Sequence, residues 1–450
     1  MEIKLFIDEL FKEAQKRGLK EYEIFYSEGK SFSVKIYNGE IDDYKNSSST
    51  GLSFRAIYKE RMGYSYTENF SEDSINLLID ELIGNASIIE STDKETIFKG
   101  SNNYHKSLEI INNLSKKDIS EKIDIALKME KLAKELDNRV YSVNHCLIGE
   151  GTGKRIIKNS HGLHLENEDN GAYAYINVLV KDGEETRTGF AFKDFDDYND
   201  LDYKKLVEEA VERAISLLGS KSIPSGIYDV IIKNEAMEEL LGAMSGMFYA
   251  EAVDKGLSKF KDKINTKVAN EKISILDNPF MEKGVFKTFD DEGYPTQEKV
   301  LIENGILKTY LHNLKTAEKF KVSSTGNGQK GSYKSSVGIA PYNFYIENGN
   351  FSFEDLLEEM NNGLILIEFD GIHAGLNSIS GDFSLSTRGY LVENGKIIKG
   401  INGIVLAANF FDLLLNVKEV GKDLKFGFPG KTRIGSPSLL FSNLSVSGEW

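Results

Sequence analysis

Three copies of one turn signal constrain the second half of this chain more than any other feature. Glu303-Asn304-Gly305, Glu347-Asn348-Gly349 and Glu393-Asn394-Gly395 each place asparagine directly before glycine. Because this pair tolerates the positive φ angles of a tight turn, each copy predicts a β-hairpin. Helical runs, such as the one near Glu235 to Asp254, interrupt the strands from about Ile227 onward, which gives this section an α+β character.

The first half of the chain switches between helical and strand periodicity. Apolar residues at helical spacing end at Gly18, and alternating runs from Tyr22 to Tyr66 are typical of antiparallel strands. The same order returns after a polar, irregular stretch from about Thr92 to Asp118, which we interpret as a linker. Since 450 residues exceed one ordinary core, we predict an α+β fold with mixed or antiparallel sheets in three units. They are two N-terminal α/β units at 1–95 and 119–220, and a β-rich unit with glycine turns at 227–450.

Composition excludes several classes of function. The formal net charge of −15, from 55 basic and 70 acidic side chains, repels a phosphate backbone, so direct contact with nucleic acid is disfavoured. The single cysteine, Cys146, permits no intramolecular disulfide and no all-cysteine zinc site, which is typical of a reducing compartment. No signal peptide is recognisable after Met1 and no apolar run reaches the length of a membrane span. We therefore expect a cytoplasmic protein that does not contact membranes.

A search for catalytic residues finds no complete constellation. Metal-assisted hydrolysis needs paired histidines, a third ligand and a carboxylate base. The six histidines are scattered. His161 and His164, the only close pair, could belong to a metal site, but surface or hairpin positions are the favoured interpretation. Cys146 lies in an apolar run, which favours a small buried side chain over a nucleophile.

Two acidic clusters leave alternatives open. Glu235, Glu238 and Glu239 have the spacing of one helix face, which could hold a cation if a second cluster approached, although a solvated face is the favoured interpretation. The run Asp290-Asp291-Glu292-Gly293 could bind a hard cation, and an acidic turn before the next strand explains it equally well.

A glycine-broken loop from Gly371 to Ser384 combines small residues with polar ones. Such a loop lets backbone groups approach a ligand or a partner closely, but a tight structural loop with local capping is an equal alternative. The candidate binding residues of this loop are His373, Gly375, Asn377, Ser380, Gly381 and Asp382.

The same loop resembles the HAGxNxxSGDFS signature of the TldD/PmbA, or "modulator of DNA gyrase", family. Phe289 to Thr296, Leu301 to Leu311 and Ser324 to Gly328 resemble further family segments in the same order, so the resemblance covers nearly all of the C-terminal half. The N-terminal half resembles the family mainly in layout. The resemblance adds Asn327 and Gly328 to the candidate binding residues.

The resemblance also separates two branches of the family. TldD-type members carry a zinc-peptidase HExxxH motif after an apolar pair, and Gly242, Ala243 and Met247 stand here at the positions of the first His, the Glu and the second His. None of them serves as a zinc ligand or general base of that motif. The cysteine ligand of that branch is also missing between Lys422 and Pro437. The chain therefore resembles the PmbA branch, also called TldE, and no metal or other cofactor is expected in it.

This resemblance implies a non-catalytic subunit that pairs with a TldD-like zinc peptidase and helps to process unfolded peptides. Alone, such a chain is expected to form a homodimer, because the pairing face would otherwise be exposed. Two alternatives stay open. One is a homodimeric enzyme that uses another centre, with His373 and Asp382 as the first residues to test. The other is a gyrase-related binding module without a proteolytic role.

Overall fold

A computed structural model describes residues 1–90, 93–108 and 112–449. The predicted α+β fold with mixed and antiparallel sheets is confirmed. The first half forms one antiparallel sheet of six strands in the order β3-β2-β1-β4-β5-β6, with four helices. Its strands are β1 (Tyr22–Tyr37), β2 (Glu40–Tyr58), β3 (Arg61–Thr67), β4 (Val140–Asn159), β5 (His164–Asp182) and β6 (Glu185–Phe195). Its helices are α1 (Ile3–Lys16), α2 (Glu72–Ile88), α3 (Ile119–Leu136) and α4 (Tyr203–Ser216).

The four helices cover a single face of this sheet. Successive side chains of a strand point to opposite faces. In β1, Ile24 packs with the apolar side chains of α1 and α2, and Val34 with those of α3 and α4. Phe25 points the other way and contacts Phe289 of the C-terminal unit. The sheet is thus a layer between the helices and the C-terminal unit.

The C-terminal unit packs two further six-stranded sheets around helix α5. Their orders are β10-β9-β8-β13-β19-β18 and β16-β15-β14-β7-β20-β17, and a separate pair joins β11 to β12. The first part of the unit contains β7 (Gly226–Ile232), α5 (Asn234–Met244), α6 (Ala250–Asp254), β8 (Ile275–Asp277), β9 (Lys299–Glu303), β10 (Ile306–Leu307), α7 (Leu314–Phe320), β11 (Gly328–Lys330), β12 (Val337–Ile339) and β13 (Asn343–Ile346). The second part contains α8 (Phe353–Met360), β14 (Gly363–Asp370), α9 (Ile372–Gly375), β15 (Asp382–Glu393), β16 (Lys396–Asn409), α10 (Phe410–Leu415), β17 (Val417–Val420), β18 (Lys425–Phe426), β19 (Arg433–Ser436) and β20 (Leu439–Ser447). No helix of the described ranges has the length and apolarity to cross a membrane.

Two of the three predicted hairpins are confirmed. Asn304 and Asn394 adopt positive φ angles of 47° and 53° in the turns β9–β10 and β15–β16. The prediction at Asn348 is wrong. There the Asn348 side chain accepts the Leu424 N–H at 3.0 Å, and Gly349 N–H donates to Gly421 O at 2.8 Å. These contacts with a distant segment replace the local turn.

The predicted linker is attached to the C-terminal unit along much of its described part. The Tyr104 hydroxyl donates to Gly293 O at 2.8 Å, and the His105 ring stacks on Phe280 with a centroid distance of 4.1 Å. Four residues of the predicted linker, 92 and 109–111, lie outside the described part, as does Trp450 of the unit predicted at 227–450.

The units predicted at 1–95 and 119–220 contribute three strands each to the first sheet. β1 of the first unit pairs with β4 of the second from Glu23 to Ile36. Their division into separately folding units stays a prediction.

A buried ionic cluster joins the first sheet to the C-terminal unit. The Arg55 guanidinium lies 2.7 Å from Glu23 Oε1 and 3.3 Å from Glu292 Oε1, and all three side chains are at most 4% exposed. Lys330 Nζ donates to Ser53 Oγ at 2.7 Å. Burial, with the Arg55 charge, lowers the pKa of Lys330 to about 8. Removal from water disfavours the charged form of each of these groups. The cluster therefore depends on the ion pairs and hydrogen bonds among its own side chains.

The run from Asp290 to Gly293 is the acidic turn that the sequence left as one alternative. Asp290 Oδ1 accepts the N–H groups of Glu292 and Tyr294, both at 2.9 Å, and Oδ2 accepts the Gly328 N–H at 2.9 Å. A Cβ on Gly328 would stand 2.8 Å from Glu292 Oε2, so only glycine fits this close approach. The Asp290 oxygens are thus occupied by backbone donors.

Replacing Arg55 tests the importance of this cluster. Arg55→Met is expected to lower the free energy of unfolding by roughly 3–5 kcal/mol, because Glu23 and Glu292 would stay buried without their cation. Urea unfolding at pH 7 measures the loss. Lys45→Met is the matched control, since Lys45 pairs with Asp43 at 2.8 Å with 70% of its side chain exposed, and its loss of stability should be small by comparison because solvent screens an exposed pair. Equal losses in the two variants would contradict a special role for Arg55.

Candidate functional site

Helix α5 has one apolar face and one acidic face. The apolar side chains of Ala236, Met237, Leu240, Leu241 and Met244 recur at helical spacing and are buried in the core of the C-terminal unit. The acidic face is directed toward the first sheet instead. There it meets the aromatic side chains of β5 and β6, on the face opposite to α3 and α4.

The two surfaces enclose a cleft of about 290 Å³, which we call the acid–aromatic cleft. The strands provide aromatic rings, α5 provides carboxylates, and the segment that begins at β18 closes one side. Phe428 of that segment packs edge-on against Tyr173 at a centroid distance of 4.7 Å, and its side chain is 48% exposed, which places it at the rim. The cleft is lined by Tyr175, Phe190, Phe192, Glu235, Glu238, Glu239, Lys425, Phe426, Gly427 and Phe428.

The prediction of a solvated helix face is therefore wrong. Glu235 is half-buried and forms ion pairs with Arg213, at 2.7 Å, and with Lys425. Although burial opposes it, these two cations lower the pKa of Glu235 to about 2. The local helical pattern could not reveal this, because the covering rings come from a different unit of the chain.

Glu238 and Glu239 differ from Glu235 because no cationic side chain of the described residues forms an ion pair with either. Burial raises the pKa of Glu238 to about 8, and the charges of Glu239 and Glu235 raise it further. Burial, followed by the charge of Glu368, raises the pKa of Glu239 to about 7. A Cβ on Gly427 would lie 2.3 Å from Glu238 Oε1, so the backbone passes directly beside this carboxylate. Two half-buried acids thus line the cleft without forming an ion pair with any cation of the described residues.

The residues at the motif positions do not fit a zinc ion. The α-helix ends at Met244, and Ser245–Phe248 continues as a 3₁₀ turn. Met247 is 3% exposed and packs in the core, whereas Ile434 Cγ1 lies 3.4 Å from the point that a Cβ on Gly242 would occupy. Within the described ranges, no three His, Cys, Asp or Glu side chains are grouped as metal ligands.

The segment between Lys422 and Pro437 lies against α5. Its strands β18 and β19 both contact the helix, and Gly427 touches Glu238. The structure thus brings together the two regions in which the family resemblance locates zinc ligands. In this chain they meet through aliphatic and aromatic side chains and glycines.

The loop from Gly371 to Ser384 lies on the surface, and α9 within it contacts α5. Asn377 Oδ1 accepts the N–H groups of Ile379 at 2.9 Å and Ser380 at 3.0 Å. Asp382 Oδ1 accepts Asn409 Nδ2 at 2.8 Å, and this hydrogen bond lowers the pKa of Asp382. His373 is exposed, and no hydrogen bond or ion pair links it to Asp382. Local capping is therefore present, and a binding role for His373, Gly375, Asn377, Ser380, Gly381 and Asp382 stays a prediction.

Asn327 and Gly328 are placed away from the surface. The Asn327 side chain is fully buried and donates to Asp277 Oδ2 at 2.8 Å and to Ala340 O at 3.0 Å. Both residues serve the interior of the C-terminal unit, and direct contact of this pair with a substrate stays a prediction.

The remaining sequence candidates, two histidines and the cysteine, lie in surroundings that suit structural roles. His161 and His164 flank the turn between β4 and β5, and His164 pairs with Glu166 at 3.1 Å with half of its side chain exposed. Cys146 is fully buried, and burial raises the pKa of its thiol to about 12. Both interpretations made from the sequence agree with these placements.

Sequence reasoning missed the aromatic wall of the cleft. Tyr173 and Tyr175, and likewise Phe190 and Phe192, are separated by one residue, which is the spacing of side chains on one face of a strand. This signal was available for β5, but β6 was not predicted as a strand. Phe428 had no local signal, since it lies in an irregular segment.

Glu238→Gln is expected to stabilise the protein in a pH-dependent way. The folded-state pKa of Glu238 is about 8 and its ordinary value is 4.5, so the folded state retains a proton that the unfolded state loses. Wild-type stability contributed by this group is therefore present below pH 4.5 and is lost as the pH rises to about 8. The variant removes that loss, which is worth roughly 1–3 kcal/mol after allowance for solvent screening.

Urea unfolding of both proteins at pH 5 and pH 8.5 measures this difference. Glu354→Gln, at an exposed position of α8, is the control. Its free energy of unfolding relative to the wild type should not increase from pH 5 to pH 8.5. A gain for Glu238→Gln that is equal at the two pH values would contradict the raised pKa.

Family comparisons cover nearly the whole chain. Three family models match in order, described as PmbA/TldA metallopeptidase domain 1 at residues 22–86, central domain at 112–218 and C-terminal domain at 225–448. A Methanocaldococcus jannaschii protein named "Metalloprotease MJ0996" is 31% identical over 428 residues, which are 90% of this chain and 90% of the relative.

Solved structures give the same result. A crystal structure from Thermotoga maritima, named as a candidate modulator of a DNA gyrase (TM0727), is 36% identical with a TM-score of 0.91, and the match covers 99% of this chain and all of the other. TldE from Thermococcus kodakarensis has a TM-score of 0.90 at 24% identity, covering 98% and 100% of the two chains, which demonstrates a shared fold.

Proposed function

Because the chain belongs to the PmbA/TldD metallopeptidase family, we propose that it is a non-catalytic subunit of a TldD-type zinc peptidase complex. The observation that carries the proposal is the replacement of zinc chemistry beside α5. Gly242 and Ala243 offer no ligand or base, and Met247 is buried in the core. The scaffold around these positions is complete, so the loss concerns the chemistry and leaves the fold intact.

In this proposal the metal and its chemistry belong to the partner chain. This chain would complete an enclosed chamber formed with the partner and hold unfolded peptide there, in the cytoplasm. β6 supports such a role, since β5 is the only neighbour it has among the described strands, and a free strand edge offers backbone groups to an extended peptide. Recognition through backbone hydrogen bonds tolerates many sequences, as a subunit that handles unfolded chains requires.

The alternative enzyme centre has weaker support. His373 and Asp382 do not interact with each other, and the Asp382 carboxylate accepts a hydrogen bond from Asn409. A nucleophile or base needs a partner within hydrogen-bond reach. The gyrase-related module draws on names alone, that of the family and those of solved structures such as the one from Thermotoga maritima. The net charge of −15 argues against direct contact with DNA but not against binding to the gyrase enzyme.

The proposal predicts that the purified chain contains less than stoichiometric zinc and does not hydrolyse unfolded peptides. Elemental analysis and a peptide digestion assay measure the two properties. Adding an HExxxH-containing relative from the same cell is expected to give a stable heterodimer and to restore digestion. One tightly bound zinc per chain would overturn the proposal.

Affinity capture from the native cell distinguishes the alternatives. Recovery of the HExxxH relative supports the peptidase subunit, whereas recovery of gyrase alone supports the binding module. Digestion by the purified chain that is abolished by His373→Ala would instead establish a separate catalytic centre.

A further inference from the structure

The acid–aromatic cleft contains three carboxylates, and only one of them is paired with cationic side chains of the described residues. Glu235, one turn before Glu238 and Glu239, is neutralised by Arg213 and Lys425. Within the described residues, Glu238 and Glu239 form no ion pair. Half-buried unpaired carboxylates reduce stability, so their presence needs a reason other than folding.

The cleft also has the walls that an organic cation requires. The rings of Tyr175, Phe190, Phe192 and Phe428 line it together, and Phe428 lies at 5.4 Å from Phe192 between ring centroids. Aromatic faces attract ammonium and guanidinium groups, and the alkyl stem of a lysine or arginine packs on the same rings. An uncharged apolar ligand would fit the rings but would leave both carboxylates unpaired.

The protein's own cations provide a precedent within the same cleft. The Arg213 guanidinium lies 5.8 Å from the centre of the Phe190 ring, and Lys425 Nζ lies 5.9 Å from the centre of the Phe192 ring. Each combines a ring with the Glu235 carboxylate. Glu238 and Glu239 offer the same combination with the cation missing.

We propose that the acid–aromatic cleft binds a basic side chain, lysine or arginine, of an extended peptide. The ammonium or guanidinium group pairs with Glu238 and Glu239, and the alkyl stem lies against Phe192 and Phe428. The volume of about 290 Å³ admits one such side chain. That the cation arrives on a peptide rests on the proposed function, whereas the recognition of the cation rests on the cleft itself.

The test uses the purified full chain and two peptides that differ in one group. Ac-Gly-Gly-Lys-Gly-Gly-NH₂ has an ammonium at the end of its side chain, and the peptide with norleucine in place of lysine lacks it. Calorimetric titration at pH 8.5 is expected to show at least about tenfold tighter binding of the lysine peptide, as one desolvated ion pair would give. Equal affinities, or no measurable binding of either peptide, would overturn the inference. The same peptide with arginine in place of lysine shows whether the cleft prefers a guanidinium or an ammonium group.

Variants assign the binding to the cleft. The double substitution Glu238→Gln and Glu239→Gln is expected to reduce the affinity for the lysine peptide about tenfold and to leave the norleucine peptide unaffected. Phe428→Ala should weaken both peptides, because the ring serves the stem as well as the charge. Glu354→Gln is the matched control on an exposed helix. Unchanged lysine binding in the double variant would overturn the assignment.

The pH dependence gives a second readout. Glu238 and Glu239 bind cations only when ionised, so affinity for the lysine peptide should fall between pH 8.5 and pH 6 in the wild type but not in the double variant. The charged groups that influence them are Glu235, Glu368, Asp370 and Arg433. These measurements need no partner chain or zinc, so a failure here leaves the subunit proposal intact, and a failure of heterodimer formation leaves this inference intact.

Discussion

The buried guanidinium of Arg55 is the contact on which the arrangement of the whole chain depends. It reaches Glu23 in the first sheet and Glu292 in the C-terminal unit, with almost no exposure of any of the three side chains. Desolvation offsets much of the attraction in such a contact, whereas removal of the cation would leave two carboxylates buried without it. The Arg55 contact lies on the face of the sheet that meets the C-terminal unit, where Arg155 also pairs with Asp291 at 3.5 Å. The acid–aromatic cleft exists because that same face also presents Tyr175, Phe190 and Phe192.

The local parts of the fold could be predicted from the sequence because their causes are local. The helix before Gly18 and the turns at Asn304 and Asn394 follow from periodicity and from positive φ. Asn348 carries the same dipeptide signal, yet a distant N–H group from Leu424 binds its side chain. A dipeptide in one short segment cannot predict a hydrogen bond with a residue far away in the sequence.

The site was less predictable for the same reason. The helical spacing of Glu235, Glu238 and Glu239 correctly placed three acids on one face, but the aromatic cover comes from strands about 50 residues earlier in the chain. The resemblance located the missing motif at Gly242, Ala243 and Met247, although it could not show that the motif borders a cleft. Motif reading identified what is missing, and the packing of the two units shows what occupies its surroundings.

Loss of metal ligands does not by itself make a surface inert. If α5 served only as scaffold, apolar residues would be expected in place of the carboxylates on its acidic face. Apolar side chains would pack against the rings of β5 and β6 without a desolvation penalty. Glu238 and Glu239 stand there instead, beside a glycine that lets the backbone approach. Arg213 and Lys425 balance only the first carboxylate of the face. Glu238 and Glu239 thus stand without ion-paired cations at an aromatic surface beside Gly242, Ala243 and Met247. These are the positions at which TldD-type members, by the resemblance, carry the zinc-peptidase motif.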